Sequence, residues 1–228
     1  MTGPPKTFHR NVFLAGPASR LEASLWTSPV VEPAFAALVC HPHPLYGGTM
    51  HNKVVFQVAR TLHWLGVPVL RFNFRGVGLS EGTHDNGRGE ADDVRAALDF
   101  LAEQFPSRPM LLAGFSFGMW VGFRVGCADA RVAELVGLGL PANDTDLSSL
   151  RACPKPKLII QGERDQFGAR QKVEALFDAE PAALEPNQTK LVFVPEADHF
   201  FTGRLDAVER ALSAWLQARH PELEQLKT

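Results

Sequence analysis

The segment LLAGFSFGM (Leu111–Met119) carries one serine, Ser116, with Gly114 and Gly118 two positions to either side. That spacing is G-x-S-x-G. It falls between a strand pattern and a helix pattern, the context in which the motif holds a nucleophile on a sharp, strained turn. The glycines have a steric reason: a side chain at either position would collide with the neighbouring strand or helix. The competing interpretation is a glycine-rich turn whose serine merely caps the following helix.

A serine hydroxyl attacks a carbonyl only when a base takes its proton. Downstream of Ser116 the chain offers His199, in KLVFVPEADHFF, and His220, in the polar tail RHPELEQLKT. His199 lies just past an apolar strand pattern and is the expected base. Three carboxylates sit in the same late loops. Asp198 adjoins His199, and adjacent loop side chains seldom face each other. Glu163 is closer to the end of the strand KLIIQG, whereas Asp165 lies deeper in the loop and can turn back toward the histidine. Asp165 is the expected partner, with Glu163 second. The order serine, carboxylate, histidine at strand ends suits nucleophilic acyl transfer.

A tetrahedral intermediate needs backbone N–H donors for its oxyanion. The loop HPHPLYGGTMHN (His41–Asn52) follows an earlier strand pattern. Pro42 and Pro44 have no N–H, which leaves His43, Leu45 and Tyr46. Counting back from the next helix favours Leu45; counting forward from the strand favours His43. Leu45 is the expected donor, His43 the alternative, and Phe117 the second donor. His41, His43 and His51 also form an H-x-H pattern with a third histidine, which can bind metal. Two prolines and the lack of a carboxylate or cysteine in the loop favour a hydrogen-bonded brace instead. RGVGLSEG reads G-x-G-x-x-x-G, one residue longer than a dinucleotide fingerprint and without a helix start. No cofactor or metal is therefore expected. Tyr46 and Trp120 are the expected substrate-binding residues, with Phe115, Met119, Phe167, Phe200 and Phe201 as further apolar candidates.

These groups need elements to position them. Asn11–Leu14, Leu21–Trp26 and Ala34–Cys40 read as strands without helices between them. After them, strands at 67–74, 109–114, 132–140, 157–162 and 190–195 alternate with helical patterns at Asn52–Leu65, Glu90–Glu103, Phe117–Cys127, Ala169–Phe177 and Leu205–Ala218. Alternation of this kind predicts a mostly parallel sheet flanked by helices, with an antiparallel start. Its ligand crevice lies at the carboxyl ends of the strands. Gly118, Gly122 and Gly126 form a ridge without side chains that lets one helix approach the sheet closely. The acidic cluster Glu90, Asp92 and Asp93 suits the first turn of a helix.

At 228 residues and 45% hydrophobic content the chain is expected to form one α/β domain over residues 1–228. A formal net charge of −2 without a basic run argues against nucleic acid. No segment is apolar enough to span a membrane, and MTGPPKTFHRNVFLAG lacks the apolar stretch of a secretory leader. Cys40, Cys127 and Cys153 match no metal or redox motif, so reduced thiols in a cytoplasm are expected, with Cys40 and Cys127 as small core residues. The expected partner is a small molecule; oligomeric state is not readable.

Together HPHPLYGGTMHNKVV, LRFNFRGVGLSEG, DNGRGE, LAGFSFG, GERD and ADHFFTGRL resemble the small, lidless bacterial α/β-hydrolases related to dienelactone hydrolase. The resemblance spans about residues 34–205. It implies a Ser–His–Asp hydrolase mapping onto Ser116, His199 and Asp165, without naming a substrate. Two positions depart from the pattern. Asn73 stands where many α/β-hydrolases have aspartate. Ser116 stands where dienelactone hydrolase has cysteine, which argues against dienelactone chemistry. Only the short segment Pro141–Lys155 is available where lipase-type relatives carry a lid. The resulting expectation is an open serine esterase or thioesterase acting on short to medium acyl groups; the alternatives are a metal-dependent hydrolase using His41, His43 and His51, and a non-catalytic α/β-hydrolase-like binding protein, whose usual mark, a lost triad residue, is absent here.

Overall fold

The structure is a computed structural model, and it describes residues 8–16, 20–27, 33–143, 145–147, 150, 152–178 and 189–223. The expectations for the opening seven residues and for the end of the polar tail fall outside the described residues. Among these the chain forms strands β1 (Phe8–Ala15), β2 (Arg20–Thr27), β3 (Ala36–Cys40), β4 (Val69–Phe72), β5 (Met110–Phe115), β6 (Val132–Leu138), β7 (Lys157–Gly162) and β8 (Thr189–Val194). The helices are α1 (Lys53–Trp64), α2 (Arg88–Gln104), α3 (Phe117–Gly126), α4 (Arg170–Asp178) and α5 (Leu205–Arg219).

All eight strands join one sheet in the order β1-β2-β4-β3-β5-β6-β7-β8. β2 runs antiparallel to β1 and β4, and every other neighbouring pair is parallel. β1 is longer than its apolar pattern predicts. It pairs with β2 from Phe8↔Thr27 to Ala15↔Arg20, and most of its residues are exposed, so pairing extends it where alternation carries no signal.

Strand side chains point alternately to the two faces. Ala37, Val39, Leu111, Ala113, Leu158 and Ile160 pack under α1 and α5, whose Val54, Val58, Leu62, Val208, Leu212 and Leu216 are fully or almost fully buried. Leu38, Leu70, Phe72, Leu112 and Ile159 meet α2, α3 and α4 on the other face. Each buried Val, Leu, Ile or Phe among them contributes roughly 1.5–3 kcal/mol by leaving water. The small residues of α3 admit close contact: a Cβ on Gly122 would stand 2.7 Å from Leu112 Cδ2.

Helix starts are fixed by side chains. Asn52 Oδ1 accepts the Val54 N–H at 2.9 Å, so α1 begins at Lys53. At α2, Glu90 accepts the N–H of Gly87 at 2.7 Å, and the helix starts two residues before Glu90 itself. Cys127 corrects the expectation of unpaired thiols. It is joined to Cys153 by a disulfide, with Cα atoms 5.5 Å apart. The pairing is long-range, between the end of α3 and the segment before β7, so no local spacing announces it, and it removes the thiol argument for a reducing compartment. Cys40 is free and buried, and burial pushes its thiol up, away from reactivity. No helix among the described residues is long and apolar enough to cross a membrane.

β3 and β6 flank β5. The loops after β3 and β4 therefore gather on one side of the β5 end, and those after β6, β7 and β8 on the other.

Candidate active site

Ser116 occupies the turn between β5 and α3 with φ +55° and ψ −119°. Such a conformation is costly for a residue with a Cβ and persists only where its surroundings enforce it. Here Ser116 N–H donates to Leu138 O at 2.9 Å, and the Ser116 carbonyl accepts from Met119 and Trp120 as α3 begins. A Cβ on Gly114 would lie 2.5 Å from Met119 N, and one on Gly118 would lie 2.6 Å from Cys40 O. The two motif glycines thus let strand, turn and helix close together and bring the β3 loop against the start of α3.

Ser116 Oγ lies 3.0 Å from His199 Nε2, and His199 Nδ1 lies 2.8 Å from Asp165 Oδ2. Both His199 and Asp165 are buried. Asp165 is held from every side. Its Oδ2 also accepts from Gln161 Nε2 at 2.8 Å, and its Oδ1 accepts the N–H groups of Phe167 and Gly168 at 2.8 and 3.2 Å. Gln161 in turn accepts the Leu140 N–H at 2.7 Å. The His199 ring sits among Phe115, Phe167 and Phe200, 4.7–5.2 Å between centroids. The other carboxylates are elsewhere. Glu163 pairs with Arg170 at 3.1 Å, and Asp198 accepts the Thr202 N–H at 2.9 Å. Gln161 was not singled out from sequence, although an amide at the end of an otherwise apolar strand is a signal for it.

The β3 loop differs from expectation. Leu45 N–H donates to its neighbour His43 Nδ1 at 3.2 Å, and the Leu45 side chain is 67% exposed. Pro44–Tyr46 forms a single 3₁₀ turn capped by the His43 side chain, so this amide is already spent. The backbone N–H groups of His43 and Phe117 have no hydrogen-bond partner among the described residues. His41 is buried with both ring nitrogens used: Nδ1 lies 2.6 Å from Pro42 O, and Nε2 accepts the Phe74 N–H at 3.0 Å. Burial pushes its imidazole down to about 4, with the Pro42 carbonyl acting the other way. A nitrogen accepting an amide proton cannot also ligate a metal, so the His41–His43–His51 reading loses its first ligand.

The β4 loop is pinned more heavily than its glycines suggest. Arg75 makes a bidentate pair with Asp93, 2.7 Å at the shortest, and Asp93 also accepts the Arg75 N–H. Asn73 Oδ1 accepts the Met50 N–H at 2.8 Å while its Nδ2 donates to Glu22 Oε2 at 2.7 Å. An aspartate there would oppose Glu22, which accounts for the departure from the resembled pattern. Glu90, expected only as part of an acidic first turn, is fully buried and seals the loop's end.

A cleft of about 710 Å³ opens over Ser116. Tyr46 and Trp120 line it, as do Phe117, Phe167 and Phe200, while Phe115, Met119 and Phe201 are buried in the core. His84 and Asn86 from the β4 loop line it too, and no sequence pattern marked them.

Residues 37–220 match the family described as "Alpha/beta hydrolase domain". An uncharacterized protein of Rickettsia prowazekii is 36% identical over 209 residues, covering 90% of this chain and 87% of that one. A crystal structure from Xanthomonas campestris, described as an α/β serine hydrolase without lid, superposes with a TM-score of 0.84 at 35% identity, covering 96% of this chain and 99% of that one. An α-β serine hydrolase homologue from Coxiella burnetii superposes with a TM-score of 0.83 at 35% identity, over 95% and 98% of the two chains.

Proposed function

The chain belongs to the α/β-hydrolase domain family, and we propose that it is a serine hydrolase cleaving carboxylic esters or thioesters through an acyl-enzyme. The observation that carries this reading is the continuous row from Ser116 Oγ through His199 to Asp165, 3.0 and 2.8 Å, on a strained serine turn at the mouth of a cleft.

Ser116 Oγ attacks the acyl carbonyl carbon while His199 Nε2 takes its proton. Asp165 accepts from Nδ1, fixes the tautomer that leaves Nε2 basic, and stabilises the imidazolium. The carbonyl oxygen becomes an oxyanion held by the N–H groups of Phe117 and His43. His43 replaces Leu45 in this role because the Leu45 N–H is already spent on the His43 ring. His199 then returns the proton to the leaving alcohol or thiol as the carbon–heteroatom bond breaks. Water, deprotonated by His199, attacks the acyl-serine and releases the acid. Tyr46 and Trp120 supply apolar surface for the substrate. A small molecule fits this cleft; a dienelactone is not favoured with serine as nucleophile.

The test is labelling of the folded protein with a fluorophosphonate, peptide mapping, and a panel of acyl esters and thioesters on the same sample. The expected result is modification of Ser116 that disappears in His199→Ala, with hydrolysis of at least one substrate class. Absence of labelling in folded protein would overturn the proposal.

A further inference from the structure

The side of the cleft built by the loops after β3 and β4 carries two imidazole rings that take no part in the chemistry above. Behind His84 stands Glu90, whose carboxylate accepts the N–H groups of Asp85 and Gly87 at 2.9 and 2.7 Å. Its Oε1 also lies 2.9 Å from His84 Nδ1, and the His84 side chain is 9% exposed. The approach is too oblique for a hydrogen bond. Even so, an unprotonated nitrogen held 2.9 Å from a carboxylate oxygen is repelled, whereas an N–H there is attracted even off-axis, so Nδ1 carries the proton. In neutral His84 the Nε2 edge is then an acceptor. His43 is the reverse. Its Nδ1 accepts the Leu45 N–H at 3.2 Å, which puts its proton on Nε2 and makes that edge a donor. Burial first, and then His84, oppose a charge on His43, while Glu90 favours one.

The two rings are 5.0 Å apart between centroids, and both line the cleft. Neither Nε2 has a hydrogen-bond partner among the described residues. Around them the wall is aromatic: His43 packs on Tyr46 at 4.6 Å and Phe117 at 4.8 Å, and Phe117 meets Trp120 at 5.6 Å. A flat ring stacks well on such a surface. A group at its edge that both donates and accepts answers the two nitrogens together. A hydroxyl does so; a methoxy oxygen or a carboxylate only accepts.

We propose that His43 and His84 form a donor–acceptor pair that recognises the hydroxyl of a phenolic ring on the substrate. This deepens the hydrolase reading and rests on it for the reaction, though not for the binding. The test is calorimetric titration of non-ester ligands at pH 8: 3-(4-hydroxyphenyl)propanamide, its methoxy, carboxy and unsubstituted counterparts, each against the native protein, His84→Phe and His84→Gln. The hydroxy ligand is expected to bind about tenfold tighter than the other three, about 1.4 kcal/mol. That preference disappears in His84→Phe and is partly kept in His84→Gln, whose amide oxygen still accepts. Equal binding of the hydroxy and unsubstituted ligands to native protein overturns the proposal, and so does preference for the carboxy ligand, which would mark His84 as a cation. The native series decides even if a variant fails to fold. Fluorophosphonate labelling of the same native sample tests the hydrolase reading separately, and its failure leaves the binding result standing.

Discussion

Two histidine–carboxylate pairs reach the cleft from the two sides of β5, and they are built differently. His199 and Asp165 come from the loops after β8 and β7, and they meet in a 2.8 Å hydrogen bond that continues to Ser116. His84 and Glu90 come from the loop after β4 and the first turn of α2. Their contact is nearly as short, 2.9 Å, but oblique, and among the described residues no hydrogen bond continues from the ring to a serine. Asp165 spends its remaining lone pairs on Gln161 and two loop amides, so its whole environment serves to aim one imidazole. Glu90 spends its own on the backbone that forms the start of α2, so its first duty is structural. A buried carboxylate beside a histidine is therefore not a catalytic signature by itself; what lies on the far side of the ring decides.

The contrast can be broken most sharply at the serine. Ser116→Ala should lower kcat on an acyl ester by on the order of 10⁶, and adding His199→Ala should cost little more, because the row acts as a unit. Steady-state kinetics on the double variant checks this. Near-multiplicative losses would separate the two residues.

The two carboxylates come next. Asp165→Asn should cost about 10⁴ in kcat, because the amide favours the wrong imidazole tautomer. Glu90→Gln should instead cost roughly 1–3 kcal/mol of stability by setting an N–H₂ against the loop amides. Activity on an unsubstituted acyl ester should fall far less than in Asp165→Asn. Paired urea melts and kinetics on both variants read the difference.

Gly139 supports the first pair alone. Its φ is +56°, and a Cβ there would stand 2.8 Å from Phe115 Cε2 and 3.0 Å from His199 Cε1, the ring that Phe115 packs against. Displacing His199 by a fraction of an ångström in Gly139→Ala should cost about 10² in kcat, with KM little changed.

His41, which braces the wall opposite His199, sharpens the comparison through pH rather than rate. Its folded value of about 4 lies below the ordinary histidine value, so the unfolded chain binds its proton first as pH falls. The stability that His41 contributes is complete above about pH 6.5 and is lost as pH falls toward 4, by about 3 kcal/mol at most. Urea melts across that window should show a shallower slope in His41→Gln than in the native protein.

Much of the scaffold is legible because its signals are local. Apolar runs and 3.6-residue spacing locate β3 to β8 and the five helices named above to within a few residues. The G-x-S-x-G spacing marks a turn that the structure gives a positive φ. The exposed end of β1 is not legible, because an edge strand is extended by its partner's hydrogen bonds rather than by its own pattern. The β3 loop shows a second limit. Counting residues cannot tell that the ring of His43 takes the Leu45 amide, since a 3₁₀ turn rather than chain distance sets which N–H groups stay free.

The chain's own pattern was enough to determine a mostly parallel sheet, the turn that carries Ser116, and the late loops that deliver a histidine and carboxylates, since each depends on near neighbours in sequence. Loop depth ranks Asp165 ahead of Glu163 in the sequence, and the fold joins it to His199; tertiary structure alone decided the Cys127–Cys153 pairing and the meeting of His84, Glu90 and His43 at one wall. Those contacts join segments whose separation is set by strand order and by the depth to which helices pack on the sheet. A difference of two residues, as between Glu163 and Asp165, is enough to send one carboxylate to a surface arginine and the other into the row behind the serine.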